Sequence, residues 1–253
     1  MYTLDNDFAT RFKYEVMIVG CGGTGGFVAE GLCRLLPASV PLVLVDPDRV
    51  EERNLRRQNF FPEDLGELKS EALASWLSRK YNRAIAYSTL PISLTPLGFN
   101  SLVIGCVDNG SARRDIAARF TTTYGNAPAW WVDAGNGENF GQILIGNRTG
   151  SAQYRTSEKG DRFYSLPLPT QQRPDLLREQ PLVASCADIE EQGPTINQNM
   201  AALVIEVVRR LIAGTCSWIQ LYLDLELGTL QPVLAIPETV ADILGKKFKK
   251  EKK

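Results

Sequence analysis

The sequence predicts a doubly wound α/β fold with a mainly parallel sheet, closed by antiparallel strands. Three observations lead there. Short, nearly continuous apolar runs alternate with stretches of helical period; strands buried on both faces look like this, and helices must cover them. A glycine-rich loop, Gly20-Cys21-Gly22-Gly23-Thr24-Gly25-Gly26, separates the first apolar run from the first helix. Asp46 ends the second apolar run, 26 residues after Gly20, where an acidic side chain commonly meets a ribose.

Residues 15–19 (EVMIV) form the first expected strand. The helix after the glycine loop stops at Pro37, which cannot continue it. Residues 42–45 (LVLV) are the second buried strand. Residues 67–81 read as an amphipathic helix with Leu68, Ala72, Leu73, Trp76 and Leu77 on one side. Residues 102–107 are another strand, and Ser111 is the expected N-cap of the helix behind it. Further strands are expected at 130–132 and 142–145. Residues 147–181, rich in Pro, Gln, Arg and Ser, read as a long irregular surface loop. A strong helix at 196–213 and two closing strands at 219–225 and 229–235 complete one domain, 1–245. Residues 246–253, with six lysines and one glutamate, form a basic, disordered tail.

Composition excludes several chemistries. There is no histidine, which removes His-based acid/base catalysis, Ser-His-Asp triads and most catalytic zinc sites. Without the lysine tail the chain carries 22 basic and 28 acidic residues, and so acidic a body argues against nucleic acid as the main partner. The five cysteines (21, 33, 106, 186, 216) include no C-x-x-C pair, so no disulfide framework is expected. No targeting segment and no apolar run long enough to span a membrane is visible. The expected location is the cytoplasm.

The glycine loop gives a tight turn, close backbone approach and free N–H groups at a helix start, all suited to phosphate. Taken alone it leaves NAD, FAD and ATP open. The run after Asp46 decides more: Asp46-Pro47-Asp48-Arg49-Val50-Glu51-Glu52-Arg53-Asn54-Leu55-Arg56-Arg57-Gln58. Asn54 can hydrogen-bond phosphate oxygens, Arg57 can clamp them with its planar fork, and Lys69 can add a mobile positive charge. Asp48 either assists at the phosphates or caps a turn. Asp108, in Cys106-Val107-Asp108-Asn109, follows a strand and is placed to hold Mg²⁺ against phosphate.

The order of these motifs resembles the ThiF, MoeB and ubiquitin-activating adenylyltransferases. The likeness rests on the glycine loop (Gly20, Gly22, Gly23, Gly25), Asp46, Asp48, Val50, Asn54, Leu55, Arg57, Gln58, Lys69 and Asp108. It continues through Asp133-Ala134-Gly135, Gly141-Gln142, Cys186 and Gly193-Pro194. The short form, without zinc cysteines, is also similar to the ThiF-like member of the ParB-related/ThiF-related (PRTRC) bacterial cassette. The resemblance implies activation, with ATP and Mg²⁺ and without zinc, of the C-terminal carboxylate of a small ubiquitin-like (ThiS/MoaD-like) protein ending in Gly-Gly. It implies a homodimer. Asp46 would bind ribose, Asn54, Arg57 and Lys69 the phosphates, and Asp108 the metal. Cys186 would accept the activated acyl group. Arg11 alone remains of an N-terminal arginine motif that, in relatives, enters the partner subunit's site. Two rival readings are a nicotinamide-dependent oxidoreductase, which leaves Asn54, Arg57, Lys69 and Asp108 idle, and a non-catalytic nucleotide-binding scaffold.

Overall fold

The computed structural model describes residues 15–97, 101–121, 130–147, 154–156, 162–164, 166–178 and 194–245. Among the described residues, ten strands and six α-helices follow in chain order: β1 (Val16–Val19), α1 (Gly23–Leu35), β2 (Leu42–Val45), α2 (Lys69–Tyr81), β3 (Ala86–Ser88), β4 (Leu102–Gly105), α3 (Gly110–Arg119), β5 (Trp130–Asn136), β6 (Phe140–Gly146), β7 (Tyr154–Thr156), β8 (Arg162–Tyr164), α4 (Pro169–Gln172), α5 (Pro194–Ile212), β9 (Trp218–Asp224), β10 (Thr229–Leu234) and α6 (Pro237–Ile243). Eight strands make one sheet in the order β10-β9-β6-β5-β4-β1-β2-β3. β3, β2, β1, β4 and β5 are parallel. β6, β9 and β10 continue the sheet antiparallel; β9 and β10 are the expected closing strands, and β6 turns antiparallel ahead of them.

Side chains alternate across a strand, and the two apolar cores follow. Val16, Ile18, Leu42, Leu44, Leu102 and Ile104 pack with α1, α2 and α5 on one face. Met17, Val19, Val45, Val103 and Trp131 pack with Ile116 and Phe120 of α3, and with Leu168, on the other. The strand order therefore reverses between β1 and β4, and a crevice at such a switch point is where open α/β sheets bind ligands. α5 seats tightly on α1: a Cβ on Gly31 would come within 2.0 Å of the Ile205 side chain.

α3 begins at Gly110, capped by Asn109, whose Oδ1 accepts the Ala112 N–H at 2.8 Å. This corrects the expected cap at Ser111, which lies inside the helix. Both residue types cap well, but only Asn109 stands at the exit of β4. Within 147–181 the described residues form a small hairpin, β7–β8, the short helix α4 and a 3₁₀ turn at Pro174–Leu177. Among the described residues no helix is long and apolar enough to cross a membrane.

α1 is tied to α2 by one carboxylate. Glu30 accepts from Lys80 (2.7 Å), Arg34 (3.0 Å), Tyr81 (3.0 Å) and Asn59 (3.0 Å). Burial pushes its pKa up, but these donors outweigh burial and hold it at about 2 against an ordinary 4.5. A lowered carboxylate pKa stabilises the fold above the unfolded value and ceases to do so as pH falls through the folded one. Glu30→Gln should therefore cost about 1–2 kcal/mol at pH 7, after discounting for solvent screening. Denaturant titrations of the two proteins should converge between pH 4.5 and about 2.

Candidate nucleotide and metal site

The end of β1 turns sharply at Gly20, whose φ of +91° favours glycine. A Cβ there would lie 2.5 Å from the Cys106 carbonyl oxygen, and one on Gly25 only 1.8 Å from that of Gly20. The glycines thus let α1 start directly beneath the ends of β1 and β4. Gly22 is the N-cap, no side chain caps the helix, and its first turn carries no acid. The leading N–H groups of α1 are left for an anion, with the helix dipole behind them.

Asp46 braces this loop. Its Oδ2 accepts the Cys21 N–H at 2.7 Å and its Oδ1 the Asp48 N–H at 2.9 Å. Burial raises its pKa, while those two N–H groups and Lys69 pull it back. Each carboxylate oxygen keeps a second lone pair, so the expected ribose contact is compatible with the brace.

The chain then doubles back. Arg49 and Leu68 form an antiparallel bridge, and Lys69 N–H donates to the Asp48 carbonyl at 2.8 Å. This places Lys69 at the head of α2, 9% exposed, with Nζ 3.1 Å from Asp48 Oδ2. The mobile charge expected from sequence is instead a buried, paired one. Asp48, expected either to assist at the phosphates or to cap a turn, pairs here with Lys69. Asn54 is also buried, and its Oδ1 accepts the Glu51 N–H at 2.9 Å, fastening the 3₁₀ turn Glu52–Asn54. A Cβ on Gly22 would lie 3.5 Å from Gln58 Nε2, and one on Gly26 3.4 Å from Asn59. The 54–59 segment, with Arg57 half-buried in it, therefore lies over the glycine loop.

On the far side, Asp108 is exposed just beyond β4 and its Oδ1 accepts from Asn109 Nδ2 at 3.2 Å. Behind it lies a pair that sequence reasoning missed. Arg113 Nε donates to Asp133 Oδ2 at 3.0 Å, and Arg113 Nη2 donates to the Val107 carbonyl at 2.6 Å. Both side chains are buried. Burial raises the Asp133 pKa, opposed chiefly by Arg113. The pair pins the backbone next to Asp108. A second missed group is Thr24, Asn136 and Asn197: the Thr24 hydroxyl lies 3.0 Å from Asn136 Oδ1 and 3.2 Å from Asn197 Oδ1.

Mg²⁺ takes one or two carboxylates plus substrate phosphate oxygens. Asp108, exposed two residues after Cys106, which backs the glycine loop, offers one such carboxylate. Among the described residues there is no cluster of three or more His, Cys, Asp or Glu. Burial raises the pKa of the thiols of Cys21, Cys33 (to about 11), Cys106 and Cys216; they suit packing rather than attack. Cys186, Arg11 and the lysine tail lie outside the described residues.

Residues 6–217 match the model of the ThiF family. Among curated proteins the chain is 34% identical over 141 residues to ubiquitin-like modifier-activating enzyme 5 of Drosophila grimshawi, covering 49% of this chain and 34% of that relative. It is 37% identical over 108 residues to adenylyltransferase and sulfurtransferase MOCS3 of Xenopus laevis, covering 40% and 23%. The chain thus spans about a third or less of these two relatives. Solved structures of similar fold include E. coli MccB with MccA-N7isoASN (TM-score 0.59, 17% identity, 91% of this chain and 66% of that one). PaaA is another (TM-score 0.64, 18% identity, 90% and 75%).

Proposed function

The chain belongs to the ThiF family, and on that premise we propose that it is an ATP-dependent adenylyltransferase that activates the C-terminal carboxylate of a small ubiquitin-like protein. The observation that carries this reading is the uncapped start of α1, braced by Asp46 and backed by Cys106, two residues before the exposed Asp108. A phosphate chain seated there has its ribose toward Asp46 and its metal-binding side toward Asp108. MOCS3 is an adenylyltransferase by name, and MccB has been solved with ATP; both favour the same reading.

In the proposed reaction a carboxylate oxygen attacks the α-phosphorus, the bond from that phosphorus to the bridging oxygen breaks, and pyrophosphate leaves with the electron pair. The product is an acyl-adenylate. The protein's task is positioning and charge neutralisation. The N–H groups of α1 and the Nδ2 of Asn54 orient phosphate oxygens. Arg57 and Lys69 offset the charge that builds on pyrophosphate. Mg²⁺ on Asp108, when bound, supplies Lewis-acid neutralisation of the phosphates. No step needs histidine.

The partner's tail enters, in this proposal, along an open groove of about 410 Å³ over β6, β9 and β10, lined by Phe140, Gln142, Arg173, Tyr222 and Leu227 among others. Gln142 leads inward, since a Cβ on Gly135 would lie 3.2 Å from its amide and 3.1 Å from Arg113. We also propose a homodimer and transfer of the acyl group to the Cys186 thiol. The test is substrate-dependent exchange of labelled pyrophosphate into ATP with candidate partners ending in Gly-Gly. Exchange is expected with at least one partner and only with Mg²⁺; no exchange with any candidate counts against the reading. Cys186→Ser should keep full exchange but lose the thiol-sensitive adduct that mass spectrometry finds in the wild type; an unchanged adduct assigns the acceptor elsewhere.

A further inference from the structure

Asn197 stands in the first turn of α5 and is 1% exposed. Its Oδ1 accepts from Asn136 Nδ2 at 3.1 Å and lies 3.2 Å from the Thr24 hydroxyl, whose single proton it shares with Asn136 Oδ1. Asn136 Nδ2 also faces the Gly137 carbonyl at 3.4 Å, which marks it as the donor and so sets the Asn197 oxygen toward it. Nδ2 is the remaining donor, and it is buried with no hydrogen-bond partner among the described residues. It presses on the start of α1: a Cβ on Gly23 would lie 2.4 Å from it. Gly23 is the first residue of that helix. A buried donor left unmatched is costly, and an apolar side chain would tie α5 to α1 without that cost. Here the carboxamide is instead held in orientation by Asn136, with its Nδ2 against Gly23 at the uncapped start of α1, where helix N–H groups favour an anion.

We propose that Asn197 is a ligand-contacting residue of the glycine-loop site, donating Nδ2–H to an oxygen of the reacting groups: an anionic phosphate oxygen of the nucleotide or the carbonyl oxygen of the activated acyl group. The proposal rests on the adenylation reading and adds to it a residue from the far end of the chain. It makes α5 part of the site rather than a cover for the sheet.

Calorimetry on the full chain with Mg²⁺ tests it, using three probes: ATP, adenosine, and the stable acyl-adenylate analogue glycylglycyl-sulfamoyladenosine. Asn197→Asp swaps the donor for a carboxylate at nearly constant shape, and Asn197→Ala removes it. If the contact is to nucleotide phosphate, both variants should weaken ATP about tenfold or more while adenosine, which has no such oxygen, shifts less than about twofold. If the contact is to the acyl oxygen, ATP holds and the analogue weakens by that factor. A purely structural role moves adenosine, ATP and the analogue together, or none of them, and overturns the proposal. Should Asn197→Asp fail to fold, Asn197→Ala gives the same comparison. A wild-type chain that binds neither ATP nor the analogue overturns the adenylation reading itself; a wild-type chain that binds both, with variants that match it, removes only Asn197.

Discussion

Arg57→Ala and Asp108→Ala should each lower pyrophosphate exchange by about 10²-fold or more, the scale on which one preorganised charge-stabilising group acts. Arg57 lies in the segment that covers the glycine loop, where Gln58 approaches Gly22, and its fork is rigid enough to hold two phosphate oxygens at once. Asp108 is exposed beyond β4 and bears little on the core. The Asp108 variant should therefore keep the wild-type melting temperature and lose the dependence of ATP affinity on Mg²⁺. Steady-state exchange and thermal unfolding, measured on the same preparations, check both. Wild-type exchange in both variants would remove these residues from the mechanism.

The largest loss of stability is expected at Arg113. Replacing it by methionine leaves Asp133, 0% exposed, as a buried carboxylate without its cation, and breaking such a pair typically costs about 3–5 kcal/mol. Adding Asp133→Leu removes the orphaned charge and should restore much of that loss, since well-packed apolar replacements of buried ion pairs are often neutral. Activity should not return with stability. Arg113 also holds the Val107 carbonyl at 2.6 Å, so the double variant leaves the Asp108 backbone unpinned. Urea unfolding and exchange rates separate the two effects. Equal stability of Arg113→Met and wild type would show that the pair is not maintained in solution.

The parts of this architecture legible in sequence are those set by local periodicity and spacing. The apolar runs of β1, β2 and β4, the glycine loop and the acid at the end of β2 all depend on near neighbours in the chain. β3 was not legible, because Ala86 and Tyr87 are exposed and carry no apolar run. The cap of α3 is ambiguous in sequence, because Asn109 and Ser111 are both good caps and only the start of the helix at Gly110 separates them. The burial of Lys69 is not legible in sequence, because it depends on the bridge between Arg49 and Leu68, a tertiary event. Arg113 looks like one more solvated charge on a helix until Asp133 is brought behind it by β5. Asn197 could not be seen as part of the site at all, since α5 reaches Gly23 only by packing on α1, 174 positions earlier in the chain.

The central claim, that a carboxylate attacks the α-phosphorus of ATP, is tested most directly by an oxygen tracer. A candidate partner carrying ¹⁸O in its C-terminal carboxylate is incubated with the chain, ATP and Mg²⁺, then with a thiol acceptor, and the nucleotide products are weighed by mass spectrometry. Adenylation places one carboxylate oxygen between carbon and phosphorus, and acyl transfer then breaks the bond on the carbon side. The account predicts AMP with one ¹⁸O, together with unlabelled pyrophosphate. ADP as the product, or AMP without the label, would contradict it.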